Sequence, residues 1–149
     1  MSTTVTLRSA RSQDMAPCAA ILNHWIDATD WMPRIHSAEQ VAEHYRTDVM
    51  FNRQTIVAVA NSKVCGFATL ARDGFINALY LSPQSCGKGI GGLLLERAKR
   101  ELSPNASLFC FQANTRAIKF YGRHGFAEIN RTTGDNEEGL PDVLLEWRA

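Results

Sequence analysis

The chain has no CxxC pair, no histidine at metal-ligand spacing from a cysteine, no long apolar run and almost no net charge. Each of these absences closes a class of function. Cys18, Cys65, Cys86 and Cys110 are scattered, so neither a disulfide framework nor a zinc site is expected, and no metal is assigned. A bilayer span needs about 18 to 20 consecutive apolar residues, and none is present. The start lacks the charged-then-apolar pattern of a secretion signal, so the expected location is cytoplasmic with reduced thiols. Sixteen Lys and Arg against 15 Asp and Glu give a formal charge of +1, which offers no overall attraction to nucleic acid or to an anionic membrane. Any basic site must be local. There is no repeat, low-complexity tract or linker, and the 149 residues, 45% of them hydrophobic, are read as one domain over 1–149.

Against this plain background one segment stands out. Gly87-Lys88-Gly89-Ile90-Gly91-Gly92 lies between an apolar, strand-like run over 75–81 and a helix-patterned run over 93–100. A strand that turns through glycines into a helix leaves backbone N–H groups unpaired beside the positive end of the helix dipole. That arrangement suits a phosphate, and glycine lets the ligand approach the amides.

The rest of the pattern is mixed. A first strand over 5–8 precedes a helix carrying Met15, Cys18, Ala19, Leu22 and Trp25 at helical spacing, and a second helix over 37–47 has Ser37 as cap and Gln40 three residues on. Runs over 54–60 and 63–70 read as a hairpin turning at Asn61-Ser62. The strand over 107–111 follows a crossover helix and should lie parallel to the strand over 75–81. Asn114 opens a further helix that ends near Gly125, and strands over 127–131 and 143–147 close the chain.

Gly87, Gly89 and Gly92 formally satisfy GxGxxG, but a dinucleotide fingerprint belongs in a parallel unit with an acid about 20 residues on. Here the next strand ends in Phe111-Gln112-Ala113. A Walker loop fails too, because Gly89 follows Lys88 where Ser or Thr is required. The two blocks Leu79-Tyr80-Leu81-Ser82-Pro83-Gln84-Ser85-Cys86-Gly87-Lys88-Gly89-Ile90-Gly91 and Asn114-Thr115-Arg116-Ala117-Ile118-Lys119-Phe120-Tyr121-Gly122-Arg123-His124-Gly125-Phe126 instead resemble the GNAT superfamily of acetyl-CoA-dependent N-acetyltransferases, in order and over nearly the whole chain. The resemblance implies an α+β fold with a mostly antiparallel sheet of about six or seven strands, about four helices and a splayed parallel pair at 75–81 and 107–111. One departure is Cys86, which stands where the family usually has Gln or Arg; this register places the helix start after Gly91.

The resemblance also implies acetyl-CoA as co-substrate. Its pantetheine would meet the backbone of Leu79, Tyr80 and Leu81, and its pyrophosphate the loop of Gly87, Lys88, Gly89, Ile90, Gly91 and Gly92. Seven residues bring a helix back to one face, so Asn114 and Tyr121 should both reach the cofactor. Tyr121 is the candidate general acid for the leaving thiolate, and the Leu81 N–H the candidate donor to the thioester carbonyl. The strands over 75–81 and 107–111 hold no acid, so the base is sought among water, a backbone carbonyl, Asp30, Asp73 and, first, His36. Trp31, Arg34 and His36 form the candidate acceptor surface. The acceptor is expected to be a primary amine of a small molecule or peptide, with no nucleic acid or membrane partner and a homodimer as the implied assembly. A non-catalytic acyl-CoA-binding module and an acetyltransferase acting on aminoacyl-tRNA are the rival readings.

Overall fold

Apolar alternation and turn residues divide the chain, in a computed structural model that describes residues 4–149, into seven strands and four helical bodies. β1 (Thr6–Ser9) leads into α1 (Met15–Ala28). Asp14 locks that junction: it is buried, accepts from Arg8 Nη1 at 2.6 Å and from the Arg11 N–H at 2.7 Å, and so ties strand to helix. α2 (Ala38–His44) starts on the expected reciprocal cap, with Gln40 N–H donating to Ser37 Oγ and Ser37 N–H to Gln40 Oε1.

The second helix runs further than 37–47. A wider π turn (Tyr45–Val49) carries it into α3 (Met50–Asn52). Val41, Tyr45 and Val49 are all buried at intervals of four, a spacing that drifts round a helix of 3.6 residues per turn. The wider turn takes up the drift and keeps all three on the core.

β2 (Gln54–Ala60) and β3 (Lys63–Leu70) form the expected hairpin, with Asn61 and Ser62 at φ 52° and 63°, the left-handed pair of a type I′ turn. β4 (Ile76–Leu81) completes an antiparallel sheet in the order β1-β2-β3-β4. α4 (Ile90–Leu102) starts two residues earlier than expected, because Gly89 takes φ 82° and turns the chain so that Ile90 is already helical and buried in the core. β5 (Asn105–Phe111), α5 (Thr115–Arg123), β6 (Ala127–Arg131) and β7 (Asp142–Arg148) follow. β6 and β7 pair antiparallel, but β7 also pairs along the whole of β5, giving a second sheet in the order β5-β7-β6. Non-local pairing of this kind leaves no local mark in a sequence.

The two sheets meet at one place. A parallel bridge joins Phe75 to Ser107, and the Ser107 N–H donates to Gly74 O at 3.0 Å. Beyond it β4 and β5 part, which is the splayed parallel pair the resemblance implied. One core, with Leu94, Leu95, Ala98 and Phe126, lies under α4 and α5; the other, with Met15, Cys18, Tyr45 and Phe67, lies under α1 and α2. The gap between β4 and β5 runs from one layer to the other.

Candidate active site

Where β4 leaves β5, its backbone faces open space. In an antiparallel ladder, alternate residues turn their N–H and C=O toward the same neighbour. The Ser82 N–H donates to Cys65 O at 2.9 Å, so Ser82 and Tyr80 face β3, while Leu79 and Leu81 turn their peptide groups away from β3 into the gap. The gap is a cleft of about 780 Å³, in the ordinary range for a bound organic ligand.

One end is the glycine turn. Gly87 and Gly89 hold φ 77° and 82°, and nothing lies within 4 Å of where a Cβ would stand on either. A side chain there would be strained and would fill the space in front of the amides. The first turn of α4 adds unpaired donors, since its first helical bond is Leu93 N–H to Gly89 O. Gly91 and Gly92 have a different role: a Cβ would stand 3.4 Å from Phe120 and 3.3 Å from His124, so these glycines let α4 and α5 pack closely.

α5 forms the opposing wall. Asn114 caps it, its Oδ1 accepting from Ala117 N–H at 3.2 Å, and Asn114, Ala117 and Tyr121 all line the cleft. Arg116 and Arg123, also seven residues apart, line it too. The end of α5 is braced to α4: His124 Nδ1 and Lys99 Nζ lie 2.7 and 3.0 Å from Glu96 Oε2, and Lys99 donates to His124 O at 2.8 Å. The bond with His124, followed by that with Lys99, holds the Glu96 carboxyl below its usual range. Burial pushes the Tyr121 phenol well above the ordinary tyrosine value, and raises Tyr80 and Cys110, both on the cleft, to about 12. These groups keep their protons at neutral pH.

Toward α1 the cleft is aromatic. Trp25 sits 5.1 Å from Tyr80 and 5.8 Å from Trp31 between ring centres, and Trp31 meets Phe111 edge-on at 5.8 Å. Across this side lies the connection between β6 and β7, made rigid by Asn136, which donates to Leu140 O at 2.7 Å and accepts from Leu140 N–H at 3.2 Å. Gln112 fastens it further, donating to Thr132 O at 3.1 Å and Asp142 O at 3.0 Å. Its Glu137 meets His36 at 3.3 Å.

Of the residues expected from sequence, Leu79, Tyr80, Leu81, Gly87, Gly89, Gly91, Gly92, Asn114 and Tyr121 come together on this one cleft. Lys88 is exposed beside it, and Ile90 points into the core. Trp31 stands behind Trp25 and Phe111. Arg34 is spent on local structure, donating to Asp27 at 2.9 Å, Asn23 Oδ1 at 3.0 Å and His36 O at 2.9 Å. His36 is not among the lining residues. Arg116, Arg123, Trp25 and Phe111 were missed. The repeat of seven between Arg116 and Arg123, set on the helix of Asn114 and Tyr121, was the available signal for the arginines.

Among the described residues there is no cluster of metal-binding side chains and no helix long and apolar enough to cross a membrane. The family model described as an acetyltransferase (GNAT) domain matches residues 51–128, which hold β2 to β5, the glycine turn and α5. The chain belongs to the GNAT acetyltransferase family. It is similar to peptidyl-lysine N-acetyltransferase YjaB of Salmonella typhimurium, at 30% identity covering 95% of each chain. Similarity to peptidyl-lysine N-acetyltransferase YiaC of Escherichia coli is 26% identity over 92% of this chain and 94% of that one. The yncA structure from Salmonella typhimurium, described as a putative acetyltransferase with its cofactor acetyl-CoA, superposes with a TM-score of 0.76 at 20% identity, covering 97% of this chain and 94% of its own. As a GNAT N-acetyltransferase the protein is an enzyme, which sets aside the non-catalytic binding module.

Proposed function

We propose that the protein transfers the acetyl group of acetyl-CoA to the side-chain amine of a lysine in a peptide or protein, with Tyr121 as general acid. The observation that carries this is the cleft between β4 and β5, which has phosphate-ready amides at one end, a half-buried phenol on its wall and an aromatic opening at the other. The names of the two relatives support lysine as the acceptor.

The residues present fit acetyl-CoA. Gly87, Gly89 and the first amides of α4 would hold the pyrophosphate, and Arg116 and Arg123 supply the positive charge that a net charge of +1 withholds elsewhere. The outward peptide groups of Leu79 and Leu81 would pair with the pantetheine amides as an added strand does. The thioester carbonyl would then accept from the Leu81 N–H.

Transfer requires a neutral amine. Its nitrogen forms the bond to the carbonyl carbon, the carbon–sulfur bond breaks, and Tyr121 gives its proton to the departing sulfur. The proton released from the amine restores the phenol. Because burial holds Tyr121 protonated, the acid is ready before the substrate arrives.

The test is thiol release from acetyl-CoA with a single-lysine peptide, paired with mass analysis of the product. A 42-dalton gain on the lysine, lost in Tyr121→Phe while acetyl-CoA still binds, is expected. Thiol release without an acetylated peptide would refute the acceptor, and an unchanged rate in Tyr121→Phe would remove the acid.

A further inference from the structure

A row of aromatic rings leaves the cleft on the α1 side and continues onto the surface. β5 alternates: Ala106, Leu108 and Cys110 are buried in the core under α4 and α5, so Phe109 and Phe111 face the other way. Phe111 meets Trp31 inside the opening. Phe109, two residues back, is 54% exposed and stacks on Phe75 with ring centres 5.6 Å apart and planes 15° from parallel. Ile35, Phe51, Leu93 and Ile129 are also exposed, but only Phe109 of these lines the cleft.

From Phe109 to Phe111 is two strand residues, about 6.4 to 6.8 Å. An extended peptide has the same repeat: residues two apart point the same way at that spacing. Phe111 lines the same cleft as Tyr121 and Leu81, and Phe109 lies one peptide repeat away from it on the same face of β5.

We propose that Phe109 and Phe75 form a subsite for the acceptor peptide, taking an apolar side chain two positions from the lysine that is acetylated. The proposal rests on the acetyltransfer reading and refines it to a sequence preference. Continuity with the cleft argues for the peptide as occupant. The stacked pair is a flat apolar platform that reaches the cleft through Phe109, so a peptide whose lysine enters the cleft can rest a neighbouring side chain on it. A small free amine would use only the inner rings. A peptide uses the platform as well.

The test compares two peptides, each blocked at its amino end and each with one lysine, one having leucine at both positions two residues away and the other glycine there. The readouts are the ratio of their kcat/KM values and their binding to the enzyme with CoA, followed by tryptophan fluorescence. Burial of a leucine on the platform should favour the leucine peptide about tenfold. In Phe109→Ser, which exchanges an exposed side chain, that ratio should collapse toward one; melting temperature checks the fold, and Phe75→Ser provides a second variant.

A preference that persists in both variants overturns the subsite. So does a Phe109→Ser variant that abolishes a concentration-dependent dimer in sedimentation and leaves the ratio alone, since the platform would then be an interface between copies. If no peptide is acetylated yet the leucine peptide binds tenfold better and loses that advantage in Phe109→Ser, the subsite stands and the acetyltransfer reading fails. Equal binding of the two peptides removes the subsite whatever the turnover.

Discussion

A phenol serves as an acid only while it holds its proton, and the partial burial of Tyr121, the proposed acid, raises its pKa further above neutral. Tyr121→Phe is expected to lower kcat by about 10²-fold or more, the usual worth of a positioned general acid, with acetyl-CoA binding by calorimetry within about twofold. Because burial raises the phenol's pKa, its ionisation should not erode the rate below about pH 10, the unperturbed tyrosine value; a pH–rate profile reads this. Asp14 works with the opposite sign. The hydrogen bond from Arg8 holds its carboxyl below the usual range despite burial. Its contribution is therefore present above an unfolded value near 3.9 and disappears as pH falls through the folded value. Asp14→Asn should cost about 2 kcal/mol at pH 7, and urea titrations should show the gap to the parent narrowing below about pH 4. Asn114 and Tyr121 were legible because helical periodicity puts residues seven apart on one face. Arg34 was not: whether an arginine greets a substrate or its own neighbours depends on Asn23 and Asp27, which only the folded connection brings to it.

Glycines within one short segment prove to have separate tasks once the element is seen in place. Gly87 and Gly89 supply left-handed backbone in front of open space, whereas Gly91 and Gly92 supply closeness to Phe120 and His124. Gly89→Ala should thus lose about 1 kcal/mol of stability from its positive φ and weaken acetyl-CoA binding well beyond that, because the new methyl enters the open space proposed for the pyrophosphate. Equilibrium dialysis and thermal melting separate the two effects. On the hairpin the opposite change is favourable. Thr55 and Thr69 face each other across β2 and β3, both buried, and neither hydroxyl has a hydrogen-bond partner. Thr69→Val should raise stability by about 1 kcal/mol, read as an upward shift of melting temperature of roughly 2 to 4 °C in a domain of this size. The hairpin was plain from Asn61-Ser62, and the second helix from its Ser37 and Gln40 cap. Its extension to Asn52 was not plain, because the widened turn answers the need to bury Val41, Tyr45 and Val49 together.

The molecule as a whole is two sheets joined near Phe75 and Ser107 and opening from there, with a helical layer on each face. A ligand lying in that opening touches both sheets, so binding should oppose unfolding of each. Acetyl-CoA at 100 times its dissociation constant should add about 2.7 kcal/mol, seen as a rise in melting temperature of roughly 5 to 10 °C that Gly89→Glu abolishes. Local chemistry read from the sequence alone determined the strands, the glycine turn, the caps at Ser37 and Asn114, and the shared face of Asn114 and Tyr121. Each depends on residues a few positions apart, and periodicity and backbone freedom act at that range. The tertiary structure decided the rest. It set β7 beside β5, brought Arg116 and Arg123 to the cleft, tied Arg34 to Asn23 and Asp27 at the surface and left Phe109, on the cleft, stacked on Phe75. Those outcomes join segments far apart in the chain, and packing rather than local propensity selects among them.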